Sequence, residues 1–204
     1  MNKFKLFKKS ESFYWSTNKI YYCALIFLLG LGYLSYEYFN PAERIFQWLV
    51  VITLIIGLIL KFKGFTQIEP VQGKLEGDLI FEKDSIIIDN VVYLLHEIKT
   101  IKISNDDYSG KLVNTSKGQI GPALSNGTYN WIIIFLQSGK SKKYFFELIN
   151  SNDFQNVRSQ LINYYLNGKI EFLEVANVLG EKSNVEIQEF KKEVEKIGTA
   201  ANSR

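Results

Sequence analysis

Apolar positions follow two different patterns along this chain. From Ile20 to Tyr36 and again from Ile45 to Leu60 they run almost unbroken, with charges only at the edges. A bilayer core of about 30 Å needs roughly 20 apolar residues per spanning helix, with about 17 near the lower limit. Each run therefore predicts a membrane helix, and the two together a transmembrane hairpin. After Gly64 the pattern changes to short β-rich segments separated by turn residues. Lys74–Glu82, Ser85–Asp89 and Val91–Leu95 read as a strand meander with turns at Lys83-Asp84 and Asp89-Asn90. Ile98, Ile101 and Ile103 follow, then a Gly-, Ser- and Asn-rich loop over Asn114–Gly127. Tyr129–Gln137 and Lys142–Ile149 predict two further strands around a Ser138-Gly139-Lys140-Ser141 turn. Because Ile132–Leu136 is apolar at every position, that strand is expected to be covered on both faces.

A helix is predicted from about Asp153 to Asn167, with Ser151 or Asn152 as N-cap and Gly168 as its stop. Phe154, Val157, Leu161, Tyr164 and Tyr165 form one apolar stripe along it, which is expected to cap the sheet. Glu171–Leu179 and Val185–Ile197 are also helical in pattern. Phe190, Val194 and Ile197 make a narrow stripe, read as packing on the chain's own domain because short isolated helices are marginal.

The stretches LIFEKDSIIIDN (Leu79–Asn90), YLLHEIKTIKI (Tyr93–Ile103), SNGTYNWIIIFLQSGK (Ser125–Lys140) and NYYLNG (Asn163–Gly168) resemble uncharacterised bacterial two-helix membrane proteins with a pleckstrin-homology-like (PH-like) cytoplasmic domain. The resemblance spans roughly Ile20 to Gly168. It implies a bent antiparallel sandwich closed at one end by a C-terminal helix, a membrane-tethered adaptor or sensor role, and no agreed ligand. The expected fold is thus an α-helical transmembrane hairpin followed by a mainly-β, α+β PH-like sandwich with a capping helix. The corresponding divisions are a basic-aromatic segment (1–19), the hairpin (20–64), the sandwich (70–168) and a helical tail (169–204).

A basic start before an apolar run also describes a cleaved signal. Here no A-x-A spacing follows Tyr36, and a second apolar run comes at once, so the first helix is read as retained. The N-terminal flank carries five lysines and the exit of the second run carries Lys61 and Lys63, while the connecting loop Glu37–Arg44 carries Arg44 alone. Positive charge marks the cytoplasmic side, which predicts a multi-pass protein of the inner (plasma) membrane with both termini inside and Pro41 in the external turn. Tyr21, Tyr22, Tyr36, Tyr38, Phe46, Trp48 and Phe62 sit near the run ends, where aromatic rings favour the interface. Gly30 and Gly32 on one helix and Thr53 and Gly57 on the other are helix-packing candidates, since small residues let backbones approach.

Charge sharpens this picture. The net +3 is concentrated in residues 1–19, where Lys3, Lys5, Lys8, Lys9 and Lys19 oppose Glu11; from Phe65 onward sixteen Lys or Arg face eighteen Asp or Glu. A nucleic-acid binder needs its positive field on the folded domain, so no nucleic-acid partner is expected. Membrane-surface candidates are Lys3, Lys5, Lys8, Lys9, Lys61, Lys63 and the hairpin-tip group Lys140, Lys142 and Lys143. The N-terminal lysines, interleaved with Phe4, Phe7, Phe13, Tyr14 and Trp15, are expected to lie along the inner leaflet.

No motif for chemistry emerges. Cys23 is the only cysteine, so no internal disulfide forms and no CxxC metal spacing exists. His96 and Glu97 are adjacent, and in a strand they point to opposite faces. Asp106 and Asp107 sit in turn-forming sequence. Gly118, Gly121 and Gly127 lack the G-K-[ST] ending of a phosphate loop. Asn114 and Asn126 begin glycosylation sequons that an inside location leaves unused. The turn Glu82-Lys83-Asp84-Ser85 lacks the basic cluster with which phosphoinositide-binding PH domains hold phosphates. The expectation is a non-catalytic membrane-anchored binding or adaptor protein without cofactor or metal, with the lipid bilayer and a protein as partners. The rivals are an accessory subunit of a membrane enzyme and a homo-oligomer assembled through the hairpin.

Overall fold

The computed structural model describes residues 3–38, 43–113 and 119–202. Pro41, the Asn114 sequon and Gly118 lie outside these residues. The chain divides into two units, residues 1–10, 73–109 and 127–204 in the first and residues 11–72 and 110–126 in the second.

The first unit is a seven-stranded antiparallel sheet packed with helices. Its strands are β1 (Lys3–Lys9), β2 (Gly73–Phe81), β3 (Ser85–Ile88), β4 (Val91–Leu94), β5 (Ile98–Ser104), β8 (Asn130–Leu136) and β9 (Ser141–Phe146), in the order β4-β3-β2-β1-β9-β8-β5. Two meanders, β2-β3-β4 and β8-β9, are thus joined through β1, which pairs with β2 from Lys3↔Ile80 to Lys9↔Gly73 and with β9 at Leu6↔Phe146 and Phe7↔Phe145. This corrects the sequence reading of residues 1–19 as one leaflet-bound segment. In KFKLFKK, Phe4 and Leu6 alternate with lysines and are buried, the period-2 pattern of a half-buried strand.

Local turn chemistry explains the meander. Asp89 and Asn90 both adopt positive φ, 49° and 67°, as a two-residue type I′ hairpin turn requires, and Gly139 (φ 82°) turns β8 into β9. In β8, Ile132 and Ile134 are fully buried, whereas Trp131, Ile133 and Phe135 are only partly covered. One face of β8 therefore packs into the core, and the other is screened in part by the Lys143 side chain, whose ammonium lies 4.8 Å from the Trp131 ring centre.

The predicted capping helix begins as a 3₁₀ turn (Asp153–Val157) and continues as α3 (Arg158–Leu166). Neither Ser151 nor Asn152 caps it through a side chain; the Asp153 carboxylate instead accepts the backbone N–H groups of Ile149 and Asn150 at 3.1 and 2.8 Å. Gly168 (φ 67°) ends the helix, with the Lys169 N–H returning to the Tyr164 carbonyl at 2.8 Å. Then come α4 (Phe172–Val178) and α5 (Asn184–Asn202). The helices after Gly168 pack on the sheet unit, as the stripe of Phe190 and Val194 predicts: Ile170, Val175, Val178, Phe190 and Val194 are buried in the same core as Phe4, Phe81, Phe146 and Phe154.

The second unit is a helical hairpin with a small two-stranded sheet. α1 (Thr17–Tyr38) and α2 (Glu43–Gly64) each have 22 residues, which at 1.5 Å rise gives about 33 Å. Both are long and apolar enough to cross a membrane, over Thr17–Ser35 and Arg44–Gly64, and most of their described apolar side chains are exposed. β6 (Ser109–Leu112) pairs with β7 (Leu124–Asn126). The segment before β7 ties the two helix ends together: the Ile120 N–H donates to Asn18 Oδ1 at 3.1 Å, and the Ala123 N–H to the Gly64 carbonyl at 2.9 Å. Gly121 (φ 112°) packs its carbonyl against Gly64, a contact that leaves no space for a side chain on Gly64.

Candidate functional site

The turn between β2 and β3, Glu82-Lys83-Asp84-Ser85, is fastened to the capping helix. Tyr164 is fully buried, and its hydroxyl donates to the carbonyls of Glu82 and of Ser85, the latter at 2.8 Å. Burial raises the phenol well above its ordinary range, so it serves as a neutral donor. Asn163 Nδ2 donates to the Lys83 carbonyl at 2.6 Å. Three of the four turn carbonyls thus accept from α3, and that of Asp84 accepts the Leu95 N–H at 2.9 Å.

Beside this turn lies a groove of about 420 Å³, lined by Lys83, Gln160, Ile162, Asn163, Leu166 and Ile197 among others. Small-molecule clefts typically measure about 300–1,000 Å³. Its walls are the apolar flank of α3 and the end of α5, with amides and one lysine at the rim. That composition suits an apolar side chain or acyl group and offers no acid-base pair. A second cleft of about 260 Å³ opens where β1 leaves β9, between Lys3, Lys5, Glu147, Asn150, Asp153 and Asn156. Burial pushes the Glu147 carboxyl upward, while Asp153 is occupied by the backbone donors described above.

The sheet's two edges differ. On β5 the outward N–H groups of Ile101 and Ile103 are taken by the Lys169 carbonyl at 2.7 Å and by Glu174 Oε1 at 2.8 Å. Burial raises the Glu174 carboxyl, and the Ile103 N–H opposes that shift. β4, the other terminal strand, shows Val91, Val92 and Leu94 at 46%, 51% and 40% exposure. Exposed apolar edge strands are templates for an added strand.

Other singled-out residues do not converge. His96 is exposed in the turn between β4 and β5. Asp106 is exposed, whereas Asp107 is buried and accepts the Tyr129 N–H at 3.0 Å, and its own N–H donates to Asn130 Oδ1 at 3.0 Å. Asp107 therefore organises a loop. Tyr93 and Tyr144 share a hydrogen bond of 2.7 Å, with the Lys142 ammonium 5.5 Å from the Tyr93 ring centre. Burial first, then the Tyr93 hydroxyl, pushes the Tyr144 phenol up to about 12. No group of three or more His, Cys, Asp or Glu side chains suited to a metal occurs among the described residues.

The lysine candidates fall into distinct settings. Lys3 and Lys5 pair with Asp78 at 2.6 and 3.0 Å, and Lys8 with Asp89 at 3.0 Å, while Lys9 is exposed at the end of β1. These partners hold the Asp78 carboxyl below its usual range. Lys61 and Lys63 sit in the last turn of α2. Lys140 is exposed in the turn, but Lys142 and Lys143 are successive residues of β9 and point to opposite faces, so the expected tip cluster is not formed.

Of the packing candidates, Gly57 lies against the Tyr21 ring, whose hydroxyl donates to the Thr53 carbonyl at 3.3 Å. A side chain at Gly32 would meet Phe46 at 3.7 Å, and one at Gly30 would meet nothing within 4 Å. The Thr53 hydroxyl bonds its own helix at the Leu49 carbonyl, 2.8 Å away. The Thr53–Gly57 face is thus occupied within the hairpin by Tyr21, a residue the sequence marked only as an interface aromatic.

No family model, curated protein or solved structure matches the chain.

Proposed function

We propose that the protein is a membrane-anchored, non-catalytic binding or adaptor protein, in which a PH-like sandwich on the cytoplasmic side carries its own two-helix anchor as an insertion. One observation carries this reading. β1 precedes the hairpin and β2 follows it, yet the two strands are hydrogen-bonded neighbours in one sheet. Two spanning helices return a chain to the side it left, which is what that pairing requires. Cleavage of α1 as a signal would remove β1 from the middle of the sheet and expose the edges of β2 and β9, so the strand order favours retention. A soluble core helix buries its apolar side chains, whereas most of those described on α1 and α2 are exposed.

The PH-like assignment draws support from the strand order, two meanders joined through β1 and closed by α3. The turn Glu82-Lys83-Asp84-Ser85, with two carboxylates against one lysine, disfavours phosphate binding at that end, and the β4 edge and the groove beside α3 are the binding surfaces this reading favours. A protein partner supplying an extended strand suits the β4 edge, since main-chain hydrogen bonds give affinity and Val92 and Leu94 contact alternate side chains.

The experiment is affinity capture with the full-length protein in mild detergent, comparing the unaltered chain with Val92→Lys and Lys99→Glu. The reading expects a defined protein retained by the unaltered chain and by Lys99→Glu and lost from Val92→Lys. Identical capture by all three, or turnover of a substrate by the purified chain alone, contradicts it.

A further inference from the structure

The hairpin ends that the 120–123 segment ties together carry an unusual surface. At the entry to α1, Phe13 and Trp15 are 70% and 57% exposed, their rings in edge-to-face contact at 5.3 Å, and the Lys19 ammonium sits 4.6 Å from the Phe13 ring centre. At the exit of α2, Phe62, between Lys61 and Lys63, is 66% exposed, and Phe65, two residues after Lys63, is 42% exposed. No acidic residue occurs between Phe13 and Lys19 or between Leu58 and Gln67. Water is a poor environment for rings this exposed, and cations interleaved with them match a layer that is apolar below and anionic above.

We infer that residues 13–19 and 61–65 form one basic-aromatic collar that seats in the headgroup layer of an anionic leaflet. The inference rests on the reading that α1 and α2 span a bilayer, and it names the lipid class that their common end selects. The collar is continuous with the helices: Lys19 lies one residue before the first apolar run and Lys61 one residue after the second. Rings belong at this depth because aromatic side chains partition to the interface. Each lysine near the surface of an anionic leaflet favours binding by about fivefold. The lysines of β1 do not share the task, since Lys3, Lys5 and Lys8 are paired with Asp78 and Asp89.

The test uses the full-length chain reconstituted in vesicles of phosphatidylcholine with and without phosphatidylglycerol. Tryptophan emission is compared between the unaltered protein and Trp15→Phe, so that the difference reports Trp15 against Trp48 and Trp131. The expected result is quenching of the Trp15 component by bromines near the headgroup and less by bromines deep in the acyl chain. Spin-labelled lipids then give the preference for phosphatidylglycerol over phosphatidylcholine. It is expected to fall about fivefold per lysine removed in Lys19→Gln, Lys61→Gln and Lys63→Gln at low salt, and to vanish in high salt. If the protein floats with the vesicles but Trp15 is not quenched, or the lysine variants keep the full preference, the collar is overturned and the spanning hairpin stands. If the protein does not float, both are overturned.

Discussion

Phe4 stacks on Phe154 with ring centres 4.8 Å apart, although the whole helical hairpin and most of the sheet separate them in the chain. Phe81 and Phe146 close the cluster at 5.8 Å from Phe4. The N-terminal strand is therefore a core element of the sheet unit, and removing its anchor residue breaks a buried contact set. Phe4→Ala is expected to cost about 3–5 kcal/mol, measured by urea unfolding in detergent.

A fragment beginning at residue 66 lacks β1 and exposes paired edges on β2 and β9. It is expected to aggregate, and a synthetic peptide of residues 3–10 is expected to restore a cooperative unfolding transition. Equal stability of the fragment with and without peptide, read by thermal melting, would show that β1 is dispensable.

Much of this was legible in the sequence, for a physical reason. Turns and helix stops are local: Asp89-Asn90, Gly139 and Gly168 specify their conformations through their own backbone preferences, and the strands they bound fell within a residue of the expected places, except that β9 ends at Phe146, three residues before the expected Ile149. β1 was not legible in the same way. Its lysines beside an apolar run matched a membrane flank, and the β2 and β9 edges that select a strand there lie far along the chain. The alternation of Phe4 and Leu6 with lysine was the available signal. The candidate surfaces depended on non-local contacts throughout: the grip of Tyr164 on the β2–β3 turn, the seal of Glu174 on β5 and the packing of Tyr21 on Gly57 have no signature in spacing.

Acid and base act in opposite senses around β1. Asp78, lowered by the side-chain hydrogen bonds of Lys3 and Lys5, contributes stability that is present above its ordinary carboxyl range and is lost as the pH falls through its depressed pKa. Glu147, raised by burial, contributes stability below its ordinary range that is lost as the pH rises through its raised pKa. Asp78→Asn is therefore expected to destabilise and Glu147→Gln to stabilise at neutral pH, both differences vanishing toward pH 2, as read by denaturant midpoints.

Arg158 latches the C-terminal helix. Its guanidinium donates to Glu181 at 2.8 Å and to Glu193 at 2.6 Å, and lies 4.8 Å from the Phe190 ring centre. Those carboxylates raise Arg158 further, and Arg158 lowers Glu193. Because the group is partly exposed, Arg158→Ala is expected to cost about 1–2 kcal/mol and to speed amide exchange in α5 ahead of the sheet.

Within the hairpin, Gly57 and Gly30 should behave differently. Gly57→Val drives a side chain into Tyr21 and is expected to lower stability by about 1–3 kcal/mol, whereas Gly30→Ala meets no neighbour and should leave the detergent melting temperature unchanged.

The proposed topology is tested most directly by single cysteines in a Cys23→Ser background, at Ser12, Asn40 and Thr66, probed in intact cells with a membrane-impermeant maleimide. Labelling at position 40 alone, with positions 12 and 66 reacting only after the membrane is opened, is the predicted result. Labelling of 12 and 66 from outside, or of only one of them, would contradict a hairpin anchor inserted between two strands of an inward-facing sheet.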